Sequence, residues 1–130
     1  NDLSRPSYLT QYLKHKKFYQ LSGEDVTQLA FLAQGGDGVI SVTANIAPKK
    51  VADLHKFWFA GDIMQATKID SELFSLNNAL FLESNPCPVK YAAFKLGICD
   101  YELRLPLCDI LEKNELIINN VLKDLNITFD

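Results

Sequence analysis

The sequence predicts an α/β fold that is mostly helical, and three observations lead to this class. Helical and strand patterns alternate along the first half of the chain, as they do in βα units. The stretch 38–44 is apolar or small on both faces, which is typical of a strand that helices cover on both sides. Three further helical patterns follow the alternating half. A length of 130 residues and an apolar content of 48% suit a single domain with a sizeable core.

The first half of the chain contains the alternating elements. Ser4 offers a capping hydroxyl and Pro6 fits the first turn of a helix, so a helix is predicted to start there. Glu24 and Asp25 follow a short strand pattern and suit the positive end of a second helix. The predicted elements in order are a helix from Ser4, a strand at 18–21, a helix from Glu24 to Gly35, a strand at 38–44 and a helix between Pro48 and Gly61.

The second half shows three helical patterns. Asp62 is a suitable cap for a long helix over 63–82, and Pro88 fits the first position of the next helix, which Gly97 ends. Asn126 is the expected C-cap of the last helix. The buried stripes, at helical spacing, are predicted to be Ile69, Leu73, Leu76 and Leu80 in the long helix and Ile118, Val121, Leu122 and Leu125 in the last one.

The two predicted strands are too few for an independently stable sheet, because even antiparallel sheets usually need three or more strands. We therefore expect the remaining strands to lie on sequence that precedes Asn1. The first residue is Asn rather than Met, which also fits a piece of a longer protein.

The composition argues against several classes of protein. The net charge is -3 and no long basic run is present, which disfavours nucleic-acid binding. No window approaches the roughly 18 apolar residues of a membrane span. Cys87, Cys99 and Cys108 form no C-x-x-C pair and are odd in number, which disfavours a disulfide framework or a metal site. We expect buried, reduced thiols in a cytoplasmic protein.

The residues alone do not predict a complete active site. Glu24 and Asp25 directly follow the first strand, where parallel α/β folds place their sites, but the capping of a helix explains them equally well. Lys49 and Lys50 lie in a polar helix start and are predicted to be solvated, so neither suits a Schiff base. No phosphate-binding, nucleophile-elbow or metal motif is present.

Four short motifs carry a resemblance to a known family. They are LSGED at 21–25, GGDGVISVTAN at 35–45, NPCPVK at 85–90 and LRLPL at 103–107. In this order and spacing the sequence resembles the dihydrodipicolinate synthase family, which belongs to the pyruvate-dependent Schiff-base aldolases together with N-acetylneuraminate lyase. The resemblance extends from Asp2 to about Leu125.

The resemblance implies part of a (β/α)8 TIM barrel. Residues 1–61 would form its last two βα units and residues 62–130 a C-terminal three-helix region. Family members condense pyruvate with aspartate semialdehyde through a lysine Schiff base, without a cofactor, in lysine (diaminopimelate) biosynthesis. That lysine would lie in the absent N-terminal half, which is the expected partner, so this chain alone should be inactive. The resemblance also implies a homo-oligomer, namely a tetramer.

The resemblance assigns roles to several residues of this chain. Ile40 matches the position that lines the bound pyruvate, and Gly23 matches the strand end that faces the substrate. Asn85 resembles a structural residue near the barrel mouth. Glu24 replaces the aspartate that is commoner in the family, and Cys87 replaces an apolar residue. The neighbours of the pocket would be Ser22, Glu24 and Asp25.

Two other interpretations stay open at this point. The chain could be a non-catalytic piece that acts as an interaction module. It could also be the same part of a related pyruvate-dependent aldolase, such as N-acetylneuraminate lyase. The residues of the LSGED and VISVTAN segments favour the synthase over the lyase.

Overall fold

The computed structural model describes residues 2–127. Helices alternate with two short strands in the first part of the chain, and only helices follow in the rest. The predicted class, α/β and mostly helical, is confirmed. The elements in order are α1 (Arg5–Tyr12), β1 (Leu21–Ser22), α2 (Gln28–Ala33), β2 (Gly38–Val39), a 3-10 turn (Thr43–Asn45), α3 (Pro48–Phe59), α4 (Ile63–Ala79), α5 (Cys87–Lys95) and α6 (Glu112–Asp124).

The two strands form a small parallel sheet. Leu21 pairs with Gly38 and Ser22 pairs with Val39, and α2 connects the two strands. Gly35 ends α2 as predicted, since its φ of 92° lies in the left-handed region that favours glycine. Within residues 2–127 each strand pairs only with the other, so both outer edges of the sheet are unpaired.

Both strands are shorter than the sequence predicts. The strand predicted at 38–44 ends at Val39. The backbone N–H groups of Val42 and Thr43 instead donate to the carboxylate of Asp25, at 2.9 and 3.1 Å, so the chain leaves the sheet and turns. The strand predicted at 18–21 overlaps β1 only at its last residue. Here the N–H of Gln20 donates to the side chain of Asp37 rather than to a strand partner.

The first helix starts where the sequence predicts, with Ser4 at its N-cap position, but the second helix does not. In both places a polar side chain that was expected to cap the helix has another partner. The hydroxyl of Ser4 donates to Asp2 Oδ1 at 2.6 Å and does not cap α1. The second helix starts at Gln28, not at Glu24, because the buried carboxylate of Asp25 binds the turn after β2. Local sequence could not distinguish these partners from the N–H groups of a helix start.

The core centres on the antiparallel pair α3 and α4. Gly61, with a φ of 81°, reverses the chain between them, and Asp62 caps α4 by accepting from the N–H of Gln65 at 3.1 Å. Both features match the prediction. The fully buried leucines of this pair and of the turn after it are Leu54, Leu73, Leu76 and Leu80.

The last two helices complete the core. Ile118 and Leu122 of α6 are buried, as their spacing predicts. The carboxylate of Glu83 holds the start of α6 by accepting from Asn114 Nδ2 and from the N–H of Leu111, both at 2.8 Å. These hydrogen bonds lower the pKa of the Glu83 carboxyl, with that from Asn114 the largest cause. Asn126, with a φ of 49°, follows the helix in the conformation expected of its end.

The cysteines differ from the prediction. Cys87 is buried, but Cys99 and Cys108 are exposed because they lie in the irregular segment between α5 and α6. The expectation of three buried thiols is therefore wrong for two of them. None of the helices within residues 2–127 has the length and apolarity needed to cross a membrane.

The N-terminal part of the chain exposes many large apolar side chains. Tyr8 and Tyr12 stack on each other on the surface of α1, with ring centroids 6.1 Å apart. Contiguous exposed apolar surface typically marks a contact with another molecule. We call the exposed set the N-terminal apolar residues, and it comprises Leu3, Tyr8, Tyr12, Phe18, Tyr19, Leu21 and Ile40.

Candidate functional site

The carboxyl ends of β1 and β2 lie side by side and bring together residues that the sequence separates by 17 positions. The N–H of Ile40 donates to the carbonyl oxygen of Ser22 at 2.8 Å, one residue beyond the paired strands. Gly23 therefore leaves β1 beside Ile40. This edge of a parallel sheet is where barrels and doubly wound folds place their sites.

Ile40 presents its side chain outward from this edge. Its exposed fraction is 71%, whereas its neighbours Val39 and Val42 are half-buried and pack against the core. An isolated branched apolar side chain at a strand end is free to contact a ligand or another polypeptide. The sequence pattern predicted apolar burial on both faces here, and only the inner face has it.

The turn after β1 is shaped by Ser22 and Glu24. The hydroxyl of Ser22 accepts from the N–H of Glu24 at 3.1 Å and donates to the carbonyl oxygen of the same residue at 3.2 Å. The carboxylate of Glu24 accepts from Thr27 Oγ1 at 2.5 Å. Between them, a Cβ on Gly23 would meet no atom within 4 Å. Ser22 and Glu24 thus fix the turn, and Gly23 faces open space.

Asp25 is buried and fully engaged, with an exposed fraction of 1%. Its Oδ1 accepts from the hydroxyl of Ser41, and its Oδ2 accepts from the N–H groups of Val42 and Thr43. These three donors account for the burial of a carboxylate that has no cation within salt-bridge distance in the described residues. The carboxylate oxygens of Asp25 therefore hold the turn after β2 and are not free to bind a ligand.

Asn77 and Thr43 belong to the same buried network, and sequence reasoning missed both. Asn77 Oδ1 accepts from Thr43 Oγ1 at 2.7 Å, and Asn77 Nδ2 donates to the carbonyl oxygen of Asp25 at 3.3 Å. A signal for Asn77 was present, because it follows Leu76 and lies four residues after Leu73 on the buried face of α4. A polar residue in such a position requires a buried partner.

Two cavities flank Gly23. The first, of about 350 Å³, is also lined by Arg5, Glu24 and Phe31. The second, of about 330 Å³, lies toward α4 and is also lined by Glu24, Asp25 and Asn77. Neither cavity includes Ile40, whose side chain extends from the same strand edge into open space.

Asn85 lies apart from the strand-end residues. It is exposed in the loop before α5, and neither cavity at Gly23 includes it. The helix that follows it contacts the 3-10 turn after β2. The structure therefore brings Ser22, Gly23, Glu24, Asp25 and Ile40 together and leaves Asn85 outside this group.

The two lysines at the start of α3 are both ion-paired. Lys49 Nζ lies 2.8 Å from Asp53 Oδ2, and Lys50 Nζ lies 2.6 Å from Glu72 Oε2. The hydrogen bond from Lys50 is the largest cause of the lowered pKa of the Glu72 carboxyl. The predicted solvation is confirmed for Lys49, whereas Lys50 is half-buried beside Glu72. An imine-forming lysine instead requires an apolar pocket that favours its neutral amine.

A comparison with known families decides the membership of this chain. The model of the dihydrodipicolinate synthetase family matches residues 3–125. The chain belongs to this family. The resemblance carried by the four motifs is thereby confirmed. The matched residues include both segments that form the strand ends.

Individual relatives agree with the family match. A 4-hydroxy-tetrahydrodipicolinate synthase from Gluconacetobacter diazotrophicus is 46% identical over 121 residues, which cover 93% of this chain and 41% of that protein. The crystal structure of dihydrodipicolinate synthase from Aquifex aeolicus has a TM-score of 0.93 and 38% identity, and covers 99% of this chain and 44% of its own. A chloride-inhibited dihydrodipicolinate synthase from Acinetobacter baumannii, complexed with pyruvate, has a TM-score of 0.89 and 40% identity over 97% of this chain and 43% of its own.

The chain thus spans about two fifths of the length of the relatives it matches. The two-stranded sheet with unpaired edges is consistent with that share of a larger synthase fold.

Proposed function

We propose that this chain is the C-terminal part of a 4-hydroxy-tetrahydrodipicolinate synthase, the lyase that condenses pyruvate with aspartate semialdehyde in lysine (diaminopimelate) biosynthesis. The observation that carries the proposal is the overlap with the synthases. Nearly the whole chain superposes on the Aquifex aeolicus enzyme, but on less than half of that enzyme. The covered share is similar in the other relatives, at 41% of the Gluconacetobacter diazotrophicus protein and 43% of the Acinetobacter baumannii chain.

In this proposal the chain contributes the last two βα units of a TIM barrel and the helical region after it. Residues 1–61 form the barrel part and residues 62–130 the helical part, although residue 1 and residues 128–130 lie outside the described residues. The parallel pair β1 and β2, connected through α2, supports the first assignment. The succession of α4, α5 and α6 supports the second.

The Schiff-base lysine belongs to the N-terminal part of the enzyme, which this chain lacks. There the lysine amine adds to the pyruvate carbonyl and loses water to give an imine. Loss of a methyl proton then gives an enamine that attacks the aldehyde carbon of aspartate semialdehyde. The ion pairs of Lys49 and Lys50 support the assignment of this step to another part of the protein.

The contribution of this chain is a wall of the pyruvate pocket. Ile40 offers an apolar surface, and Gly23 leaves space beside it because no side chain occupies the turn. Ser22, Glu24 and Asp25 hold the two strand ends in place through their hydrogen bonds. Asn85 serves as a structural residue near the barrel mouth.

The partner of the chain in this proposal is the N-terminal half of the same enzyme. The exposed N-terminal apolar residues and the unpaired strand edges are the surfaces that this half would cover. The completed enzyme assembles into a homo-oligomer, which the resemblance makes a tetramer.

A chimera tests the proposed function. The region of the Gluconacetobacter diazotrophicus synthase that precedes its match to this chain is fused to residues 1–130, and condensation of pyruvate with aspartate semialdehyde is measured. We expect activity from the fusion and none from either piece alone, because only the fusion unites the imine lysine with the pocket wall. A folded fusion without activity, or activity in the N-terminal region alone, would refute the proposal.

A further inference from the structure

The hydrogen bonds of the Asp25 carboxylate all come from the turn that follows Ile40, and the proposed function does not yet use this feature. Its three donors, Ser41, Val42 and Thr43, are the three residues that follow Ile40 directly. The hydroxyl of Ser41 in turn accepts from the N–H of Ala44 at 2.8 Å. A single buried carboxylate therefore holds four consecutive residues after the pocket wall.

Ile40 is thus held on both sides. On its N-terminal side the strand pairing fixes it, since its own N–H donates to the carbonyl oxygen of Ser22. On its C-terminal side the carboxylate of Asp25 fixes the turn. The side chain between these two attachments remains 71% exposed, so its packing contributes little to fixing its position.

Asn77 connects this turn to α4. It bonds to the backbone oxygen of Asp25 and to the hydroxyl of Thr43, and both Asn77 and Thr43 are fully buried. The helical region therefore contacts both ends of the network. A change in its position would be transmitted to the turn after Ile40 through two hydrogen bonds.

We infer that Asp25 is a positioning residue, which with Asn77 sets the place of Ile40 over the bound pyruvate. This inference rests on the proposed function, in which Ile40 lines the pyruvate site. Asp25 acts only through the turn, because its two oxygens are occupied by Ser41, Val42 and Thr43. A change at Asp25 should therefore weaken the binding of pyruvate and leave the chemistry of the imine intact.

Two variants of the chimera test the inference. Asp25→Asn keeps the volume but puts an amide NH2 where an oxygen accepts, so at least one hydrogen bond to a charged group is lost. We expect the KM for pyruvate to rise about tenfold, with a smaller change in kcat and in the KM for aspartate semialdehyde. Ser41→Ala removes one donor and leaves the two backbone donors, so the KM for pyruvate should rise about threefold in a well-folded protein.

The matched control is Asp37→Asn. The carboxylate of Asp37 also accepts from a backbone N–H, that of Gln20 at 2.7 Å, but at the amino ends of the same two strands. Asp37→Asn should leave the KM for pyruvate unchanged and should lower the melting temperature less than Asp25→Asn, because Asp37 is exposed and has a single donor in the described residues. A merely structural role for Asp25 would lower the melting temperature in Asp25→Asn and leave its KM for pyruvate as unchanged as that of Asp37→Asn.

The outcomes separate this inference from the proposed function. A rise in the KM for pyruvate in Asp25→Asn and Ser41→Ala, but not in Asp37→Asn, supports the positioning role. If the parent chimera binds pyruvate, and the variants at Asp25 and Ser41 have a KM for pyruvate no higher than that of Asp37→Asn, the positioning role alone is overturned. A folded parent chimera that binds no pyruvate overturns the proposed function and the positioning role together.

Discussion

The isolated 130-residue chain is expected to self-associate in solution rather than sediment as a stable monomer. It exposes the N-terminal apolar residues, and both edges of its two-stranded sheet are unpaired in the described residues. Unpaired edges recruit other strands, and covering one large apolar side chain contributes roughly 1.5–3 kcal/mol. Sedimentation velocity over a range of concentrations measures the association, and hydrogen exchange shows which segments it protects.

A pair of substitutions identifies the surface responsible for this association. Tyr12→Ser removes an exposed ring of α1, and we expect it to weaken the self-association. Leu116→Ser removes another exposed apolar side chain, on α6 and far along the chain from the sheet, and should leave the association unchanged. A concentration-independent monomer with strong exchange protection over residues 38–44 would contradict the account, because this chain would then complete its own sheet.

Ile40→Asp is expected to have little effect in the chain alone and a large effect in the chimera. In the chain alone the side chain is mostly exposed, so the free energy of unfolding should change by no more than about 0.5 kcal/mol. In the chimera the proposed position of Ile40 would enclose the new carboxylate beside the bound pyruvate. Burial of an unpaired charge destabilises a protein by several kcal/mol, and the affinity for pyruvate should fall more than about tenfold.

Two control variants isolate the cause of that loss. Ile40→Val keeps an apolar wall and should retain most of the affinity for pyruvate. Leu105→Asp introduces the same charge in the exposed loop between α5 and α6 and should affect neither stability nor pyruvate binding. Unchanged melting and unchanged pyruvate affinity in the Ile40→Asp chimera would remove Ile40 from the pocket wall.

The helices were largely predictable from the sequence because their determinants are local. The spacing of Leu73, Leu76 and Leu80 corresponds to one helix face, and the same residues are fully buried. The ends of these helices coincide with Gly61, Asp62 and similar residues whose backbone preference acts within one turn. Such signals lie within a few residues of the element that they define.

The parts that could not be predicted depend on partners far along the chain. Asp25 looks like a helix cap because it follows a strand and precedes a helix, but its partners lie 16 to 18 residues later. The same hydrogen bonds end β2 at Val39, although residues 38–44 have a continuous strand pattern. Asn77 meets Asp25 across 52 positions. The pocket wall is proposed from motifs, whereas the hydrogen-bond network beside it required the structure.

We propose that the imine lysine of the synthase lies in the N-terminal region and not in this chain. Borohydride reduction in the presence of pyruvate locates that lysine, because it converts an imine into a stable secondary amine that mass spectrometry can find. We expect no adduct on the chain alone and, in the chimera, one adduct on a lysine contributed by the N-terminal region. A pyruvate adduct on Lys49, Lys50 or any other lysine of this chain would contradict this proposal.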